Sequence, residues 1–137
     1  MKRIIIHHSL TKDSKTVSWG AIRQFHKSLG WGNVGYHFGI ELARNDYEIF
    51  VGRTLDKTGI HTANKNTDSI GICFIGNYDI IEPPLEMLKV SIPLIHWLMN
   101  LYDIPIDEIY GHRHFANKSC PGERFDMDLF KGLVETF

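Results

Sequence analysis

The chain has 137 residues, of which 43% are apolar and 23% charged, and its formal net charge is −1. This composition is ordinary for a globular protein, and the length predicts one domain spanning residues 1–137. The charge balance disfavours a basic protein that binds nucleic acid or a membrane surface, and two cysteines do not form a disulfide framework.

Strands and helices alternate along the chain. The isoleucines at 4–6 and the apolar run at 69–75 are typical of central strands covered on both faces. Apolar residues at helical spacing follow Pro83-Pro84, where proline suits a first turn; Trp97 lies beside this stripe and is expected in the core. A polar loop is predicted at 10–15, followed by a helix from a cap at Thr16 or Ser18 to Leu29. Hairpin strands are predicted at 36–42 and 47–51, and a short strand at 106–110. A last helix is capped by Asp126. Together they predict one α/β domain around a mixed sheet.

No segment of the sequence reaches the length of a membrane span, which needs about 18 consecutive apolar residues. The basic start is followed by only three apolar residues, whereas a signal peptide needs about 7–15. We therefore expect a protein that is made in the cytoplasm, does not insert into a membrane, and needs another route of release if it acts outside.

Residues that bind metals are concentrated in three places. His7-His8 ends the first strand, His112 follows the last short strand, and Cys120 lies in a loop. A catalytic zinc commonly has three protein ligands and a water, and imidazole and thiolate suit it. Because neighbouring side chains of a strand point to opposite faces, at most one of His7 and His8 is expected at a shared metal.

Other interpretations of these residues remain open at this point. A His-His pair at a strand end is also compatible with simple hydrogen bonding in a turn. Cys73 lies inside an apolar strand and is interpreted as core. His26 and His96 are interpreted as surface or hydrogen-bonded histidines, and Trp19 is open between core and groove wall.

Five sequence blocks between about residues 2 and 125 resemble, in order, those of one enzyme family. The blocks are Ile-Ile-Ile-His-His-Ser at 4–9, Val-Gly-Tyr-His-Phe at 34–38, Ser-Ile-Gly-Ile-Cys-Phe-Ile-Gly-Asn at 69–77, Tyr-Gly-His-Arg at 110–113 and Lys-Ser-Cys-Pro-Gly at 118–122. The chain resembles the type 2 N-acetylmuramoyl-L-alanine amidases, which include phage endolysins and peptidoglycan recognition proteins.

The resemblance implies a fold and a site. The fold would be a single α/β domain, with a mixed central sheet of five or six strands flanked by about three helices and a zinc groove on one face. The implied site residues are the ligands His7, His112 and Cys120 of one zinc ion per chain, the catalytic residues Tyr36 and Lys118, and the substrate-binding residues His61, Trp31 and His37. His61 is also compatible with a plain loop histidine. His114 stands where many members carry an acidic residue, so its role stays open, as does that of His8.

The resemblance also implies an activity. A zinc-dependent hydrolase would cleave the amide between the lactyl group of N-acetylmuramic acid and the L-alanine of the stem peptide, with peptidoglycan as partner and the monomer as working state. Lys118 places the chain near the phage enzymes, because many recognition proteins have threonine there. A bacteriolytic endolysin would act on the cell wall after release. The alternatives are a non-catalytic peptidoglycan-recognition module, in which the ligand cysteine is typically replaced, and a cytoplasmic wall-recycling amidase, which typically carries aspartate there.

Overall fold

The computed structural model describes residues 1–10 and 18–137. The predicted loop at 11–15 and the alternative cap Thr16 lie outside the described residues. The strands are β1 (Arg3–His8), β2 (Phe38–Ala43), β3 (Asp46–Val51), β4 (Ser69–Phe74) and β5 (Ile109–Gly111), and the helices are α1 (Trp19–Ser28), α2 (Leu85–Tyr102) and α3 (Met127–Thr136). Short 3-10 turns lie at Asn66–Asp68, Ile106–Glu108 and His112–His114.

The five strands form one mixed sheet in the order β3-β2-β4-β1-β5. Strand β1 lies between β4 and β5 and is parallel to both, and β2 is parallel to β4. The hairpin partner β3 is antiparallel to β2 and forms the edge. The predicted α/β fold with a mixed five-stranded sheet and three helices is therefore confirmed.

Alternation along β1 and β4 divides the apolar residues between two faces of the sheet. On the helix face, Ile6 and Ile72 belong to a large core that includes residues of α2 and α3. On the opposite face, called here the cleft face, Cys73 packs with Trp19, Val34 and Ile75 in a smaller core. Cys73 is fully buried, as its place inside an apolar strand predicts.

Side-chain caps fix the starts of two helices. The Ser18 hydroxyl accepts a hydrogen bond from the Ala21 amide at 3.1 Å, and Asp126 Oδ1 accepts one from the Leu129 amide at 3.0 Å. The Glu41 carboxylate on β2 also accepts a hydrogen bond from the amide of Trp19 at 2.9 Å. This bond ties the first turn of α1 to the cleft face. It is favourable because the N-terminus of a helix attracts an anionic group.

Two sequence expectations need correction. Trp97 is 50% exposed, with its ring edge against Phe38, because α2 buries Ile95 and Leu98 and leaves Trp97 on its flank. The predicted strand at 106–110 begins as a 3-10 turn, and the sheet pairing starts only at β5.

Within the part of the chain that the structure describes, no helix combines the length and apolar character needed to span a bilayer.

Candidate metal centre and active-site cleft

Three side chains of types that can bind a metal, from two distant parts of the sequence, meet at one edge of the sheet. His7 lies near the end of β1, His112 directly follows β5, and Cys120 lies in the loop beyond. Their ligand atoms lie within 4.8 Å of one another, and His7 Nδ1 is 3.8 Å from Cys120 Sγ. Because β1 and β5 are parallel, their carboxyl ends lie at the same edge, which is where α/β sheets commonly bind ligands.

Arg113 holds the loop that carries Cys120. Its backbone amide donates to the Cys120 carbonyl at 2.7 Å, and its guanidinium donates to the carbonyls of Gly122 at 2.7 Å and Phe125 at 2.9 Å. The backbone amide of His8 donates to Cys120 Sγ at 3.4 Å. In the sequence Arg113 stands out only as part of the motif at 110–113, and its position next to His112 is the one signal for this anchoring role.

The other two histidines of these segments do not join the cluster. His8 Nδ1 accepts a hydrogen bond from the Tyr78 amide at 3.1 Å, on the side of the strand opposite to His7. His114 stacks on Tyr110 with ring centroids 4.5 Å apart. His7 and His8 thus point to opposite sides of the strand, and of the two only His7 belongs to the candidate ligand group.

A cleft of about 260 Å³ opens over the three candidate ligands. Its lining residues are His7, His8, Ser9, Leu10, His26, Trp31, Tyr36, Ile60, His61, His112, Lys118 and Cys120. The Tyr36 ring lies 5.1 Å from that of His7, and Lys118 is exposed at the rim. The two residues predicted to be catalytic thus share one cavity with the candidate ligands, and their catalytic role stays a prediction.

The three predicted substrate contacts have different positions. Trp31 and His61 line the cleft. His37 is fully buried: its Nδ1 accepts from the Gly71 amide at 3.1 Å, and its Nε2 lies 2.9 Å from the Lys57 carbonyl. With both ring nitrogens engaged by backbone, His37 has a structural role beneath the cleft, and its predicted substrate contact remains untested.

His26, interpreted from the sequence as a surface or hydrogen-bonded histidine, is a hydrogen-bonded residue that lines the cleft. It is 9% exposed, its Nδ1 accepts a hydrogen bond from the Gly35 amide at 2.9 Å, and its ring lies 4.6 Å from that of Trp31. Arg53 holds the same segment by donating to the Trp31 carbonyl at 2.8 Å. Helical spacing alone gives no sign that His26 faces a loop 9 residues further along the chain.

Burial controls the protonation of the cluster. Desolvation, followed by the neighbouring His61 and His112, holds the pKa of His7 well below its usual value, and desolvation also lowers the pKa of His112. Desolvation raises the pKa of Cys120 to about 11. The metal-free cluster therefore consists of neutral imidazoles and a neutral thiol, and the thiol must release its proton when a metal binds.

The donor set fits a zinc ion. Tetrahedral zinc with a thiolate at about 2.3 Å and an imidazole at about 2.0–2.1 Å places those two atoms roughly 3.5 Å apart. The separation of His7 Nδ1 and Cys120 Sγ is 3.8 Å, so only a small adjustment is needed. Three protein ligands at the base of an open cleft would leave a bound zinc ion accessible to water or substrate.

Comparison with known proteins agrees with this geometry. The family model described as N-acetylmuramoyl-L-alanine amidase matches residues 1–123. An endolysin of Klebsiella phage KP32 is 40% identical over 128 residues, covering 91% of this chain and 82% of that protein. The solved N-acetylmuramoyl-L-alanine amidase LysC from Clostridium intestinale URNW superposes with a TM-score of 0.86 at 28% identity, covering 98% of this chain and 85% of that one. Wild-type Drosophila PGRP-LB gives a TM-score of 0.75 at 32% identity, covering 89% and 75%.

Proposed function

The chain belongs to the N-acetylmuramoyl-L-alanine amidase family, and on that basis we propose that it is a zinc-dependent amidase of the phage endolysin type. Its substrate would be bacterial peptidoglycan, and the bond cleaved would be the amide between the lactyl group of N-acetylmuramic acid and L-alanine. The observation that carries this proposal is the cluster of His7, His112 and Cys120 at the base of a cleft that also contains Tyr36 and Lys118.

His7, His112 and Cys120 would hold one zinc ion per chain. Zinc bound there would supply a water of lowered pKa and a positive charge close to the scissile carbonyl. The neutral imidazoles of the cluster already match the form that a metal needs. The amide of His8, which donates to Cys120 Sγ, would help to stabilise negative charge on that sulfur.

Lys118 and Tyr36 would act on the substrate itself. The positive charge of Lys118 acts within the cleft, since it contributes to lowering the pKa of His7 and of His112. An ammonium there would stabilise the oxyanion that develops when the carbonyl is attacked. Burial raises the pKa of Tyr36 well above its usual value, so its phenol stays protonated and would donate a hydrogen bond to the substrate or to water.

The endolysin relative supports the biological role. The alignment with it covers 91% of this chain at 40% identity. A protein of this kind would be released onto the bacterial cell wall and would work there as a monomer. A non-catalytic recognition role is the second candidate, because similarity extends to recognition proteins, including a mutant of Drosophila PGRP-LB solved in complex with tracheal cytotoxin. The complete His-His-Cys set favours the enzyme.

The deciding experiment is digestion of purified peptidoglycan, with mass spectrometry of the released termini. We expect new L-alanine amino termini and lactyl carboxylates, with no new reducing sugar ends. Chelation should stop the reaction and added zinc should restore it. Tight binding by zinc-loaded protein without new alanine termini would favour the recognition module, and release of reducing ends in the presence of chelator would exclude both candidates.

A further inference from the structure

The two ring nitrogens of His7 face different partners. His7 Nδ1 faces the thiol of Cys120 at 3.8 Å, whereas His7 Nε2 lies 2.9 Å from Nδ1 of His61. The two imidazole planes are nearly perpendicular, at 88°. Because His61 meets the side of His7 that points away from Cys120, it stands behind the candidate ligand and outside the ligand cluster.

The ring of His61 is held in a narrow slot. A Cβ atom at Gly71 would lie 2.7 Å from His61 Cγ and Cδ2, and one at Gly59 would lie 2.6 Å from His61 Cδ2. Only residues without a side chain allow the ring to lie against the backbone at these two places. The slot leaves the Nδ1 side of the ring directed at His7.

The backbone that carries His61 is fixed as well. The Asn66 side-chain oxygen accepts hydrogen bonds from the amides of His61 at 2.9 Å and Thr62 at 2.8 Å. Thr62 is buried, and its hydroxyl oxygen lies 3.0 Å from His61 Nδ1 and 3.4 Å from His7 Nε2. His61 Nδ1 is thus the nearer polar partner of His7 Nε2, and the Thr62 oxygen is a second one.

We propose that His61 is a positioning residue that accepts the Nε2–H of His7, with Thr62 as an auxiliary acceptor, and thereby fixes the ligand tautomer. A neutral imidazole carries a single N–H. When Nε2 holds that proton, Nδ1 keeps its lone pair on the side of Cys120, and the ring cannot rotate without losing its acceptor. This inference rests on the proposed zinc site, and it gives His61 a role other than the substrate contact expected from the sequence.

The first test measures zinc affinity by competition with a chromophoric chelator. Loss of a partner behind a metal ligand typically weakens metal binding by about 10–100-fold. We expect that loss in His61→Ala, whereas His61→Asn, whose Oδ1 can occupy the place of Nδ1, should bind zinc within a few-fold of wild type. Thr62→Val should show a smaller loss than His61→Ala.

Kinetics separate positioning from substrate contact. At saturating zinc, His61→Ala should keep the wild-type KM for a soluble muramyl peptide, because the residue acts through His7. Wild-type zinc affinity in His61→Ala together with a raised KM would overturn the proposal and assign His61 to the substrate. If wild-type protein itself fails to bind zinc, the proposed function fails first, so the two failures are distinct.

A measurement on the unmodified protein avoids any problem of folding. The ¹⁵N chemical shifts of the His7 ring, recorded on chelated wild-type protein at neutral pH, report which nitrogen carries the proton. We expect the proton on Nε2. A proton on Nδ1 would contradict the proposed tautomer, whatever the variants show.

Discussion

The two faces of the sheet use the same strands for different purposes. On the helix face, Ile4 and Ile6 of β1 and Phe74 of β4 are fully buried in a continuous apolar core. On the cleft face, the intervening residue His7 is 1% exposed and is surrounded by His61, His112 and Tyr36 rings. The helix face buries mainly hydrocarbon, whereas the cleft face also buries a cluster of groups that can be protonated or bind a metal.

The difference separates the residues that stabilise the fold from those of the candidate site. Burial of apolar surface stabilises the helix face at any pH. On the cleft face, burial disfavours the charged form of each imidazole, so the same burial prepares neutral ligands and makes that face sensitive to acid. The two faces should therefore respond differently to substitution, to metal removal and to pH.

The largest effect is expected from the candidate ligands. His7→Ala, His112→Ala and Cys120→Ala should each lose bound zinc and essentially all amidase activity, because three protein ligands are needed to hold a catalytic zinc. Metal analysis of purified protein and digestion of peptidoglycan measure the two results.

His114→Ala is the matched control for the ligand variants. His114 follows the same strand end but stacks on Tyr110 away from the cluster, so this variant should keep its zinc. Full zinc occupancy in His7→Ala, or its loss in His114→Ala, would show that the ligand set is assigned wrongly.

Next in size are the two cleft residues that are not ligands. Lys118→Ala and Tyr36→Phe should each lose about 10²–10³ in rate, the usual cost of removing one donor that stabilises a transition state. Zinc content should be unchanged, because neither side chain is in the ligand set. The measurement is turnover of a soluble muramyl peptide by zinc-loaded protein.

Controls on the opposite face sharpen this result. Lys89→Ala and Tyr102→Phe make the same chemical changes on α2 and should leave turnover unchanged. Wild-type turnover in Lys118→Ala would remove that lysine from the mechanism and leave the zinc site unaffected.

Acid should weaken the cleft face of the metal-free protein. Desolvation holds the pKa of His7 well below 6.5, and it lowers that of His61 to about 3. Below pH 6.5 the unfolded chain therefore binds more protons at these residues than the folded chain does. The free energy of unfolding is therefore not reduced by these residues above pH 6.5. It falls progressively as the pH drops towards their pKa values in the folded protein.

Thermal unfolding of chelated protein between pH 7.5 and 5 checks this dependence. The melting temperature should fall with pH, and His61→Asn should show a shallower fall because one buried imidazole is gone. A melting temperature that is independent of pH below 6.5 would mean that the imidazoles reach water in the metal-free protein.

The sequence predicted the helix face better than the cleft face, for a physical reason. Apolar periodicity is a local signal, and it located the strand at 69–75 and the helix after Pro83-Pro84 to within a few residues. The prediction that Trp97 lies in the core was wrong. An apolar residue at the border of a helical stripe can be buried or exposed, and the element packed against the helix decides which.

Residue type alone drew attention to His7-His8, His112 and Cys120, and the choice of three ligands among them rested on five ordered blocks that resemble a known family. The separation of more than 100 residues between His7 and Cys120 in the sequence carries no geometric information by itself. The neighbouring residues Arg113, Asn66 and Thr62 were missed. Arg113 and Asn66 make hydrogen bonds to loop backbone, and the Thr62 hydroxyl contacts the rings of His61 and His7. Such contacts leave no periodic pattern in a sequence.

The smallest expected effect compares the two faces most directly. Ile72 lies on the central strand β4, is fully buried on the helix face, and is one residue away from Cys73 on the cleft face. Ile72→Val removes one methylene group and should lower the free energy of unfolding by about 0.5–1.5 kcal/mol.

Ile80→Val is the matched control, since Ile80 is 58% exposed and the same deletion there creates no buried cavity. Chemical denaturation of chelated protein measures both changes, and chelator competition measures zinc affinity in the same samples. Zinc affinity should stay at the wild-type value in Ile72→Val, because the deleted carbon points away from the ligand cluster. If this small cavity instead weakens zinc binding as much as it weakens folding, the two faces are mechanically coupled through the backbone of β4, and His7 depends on packing behind the sheet as well as on its neighbours in the cleft.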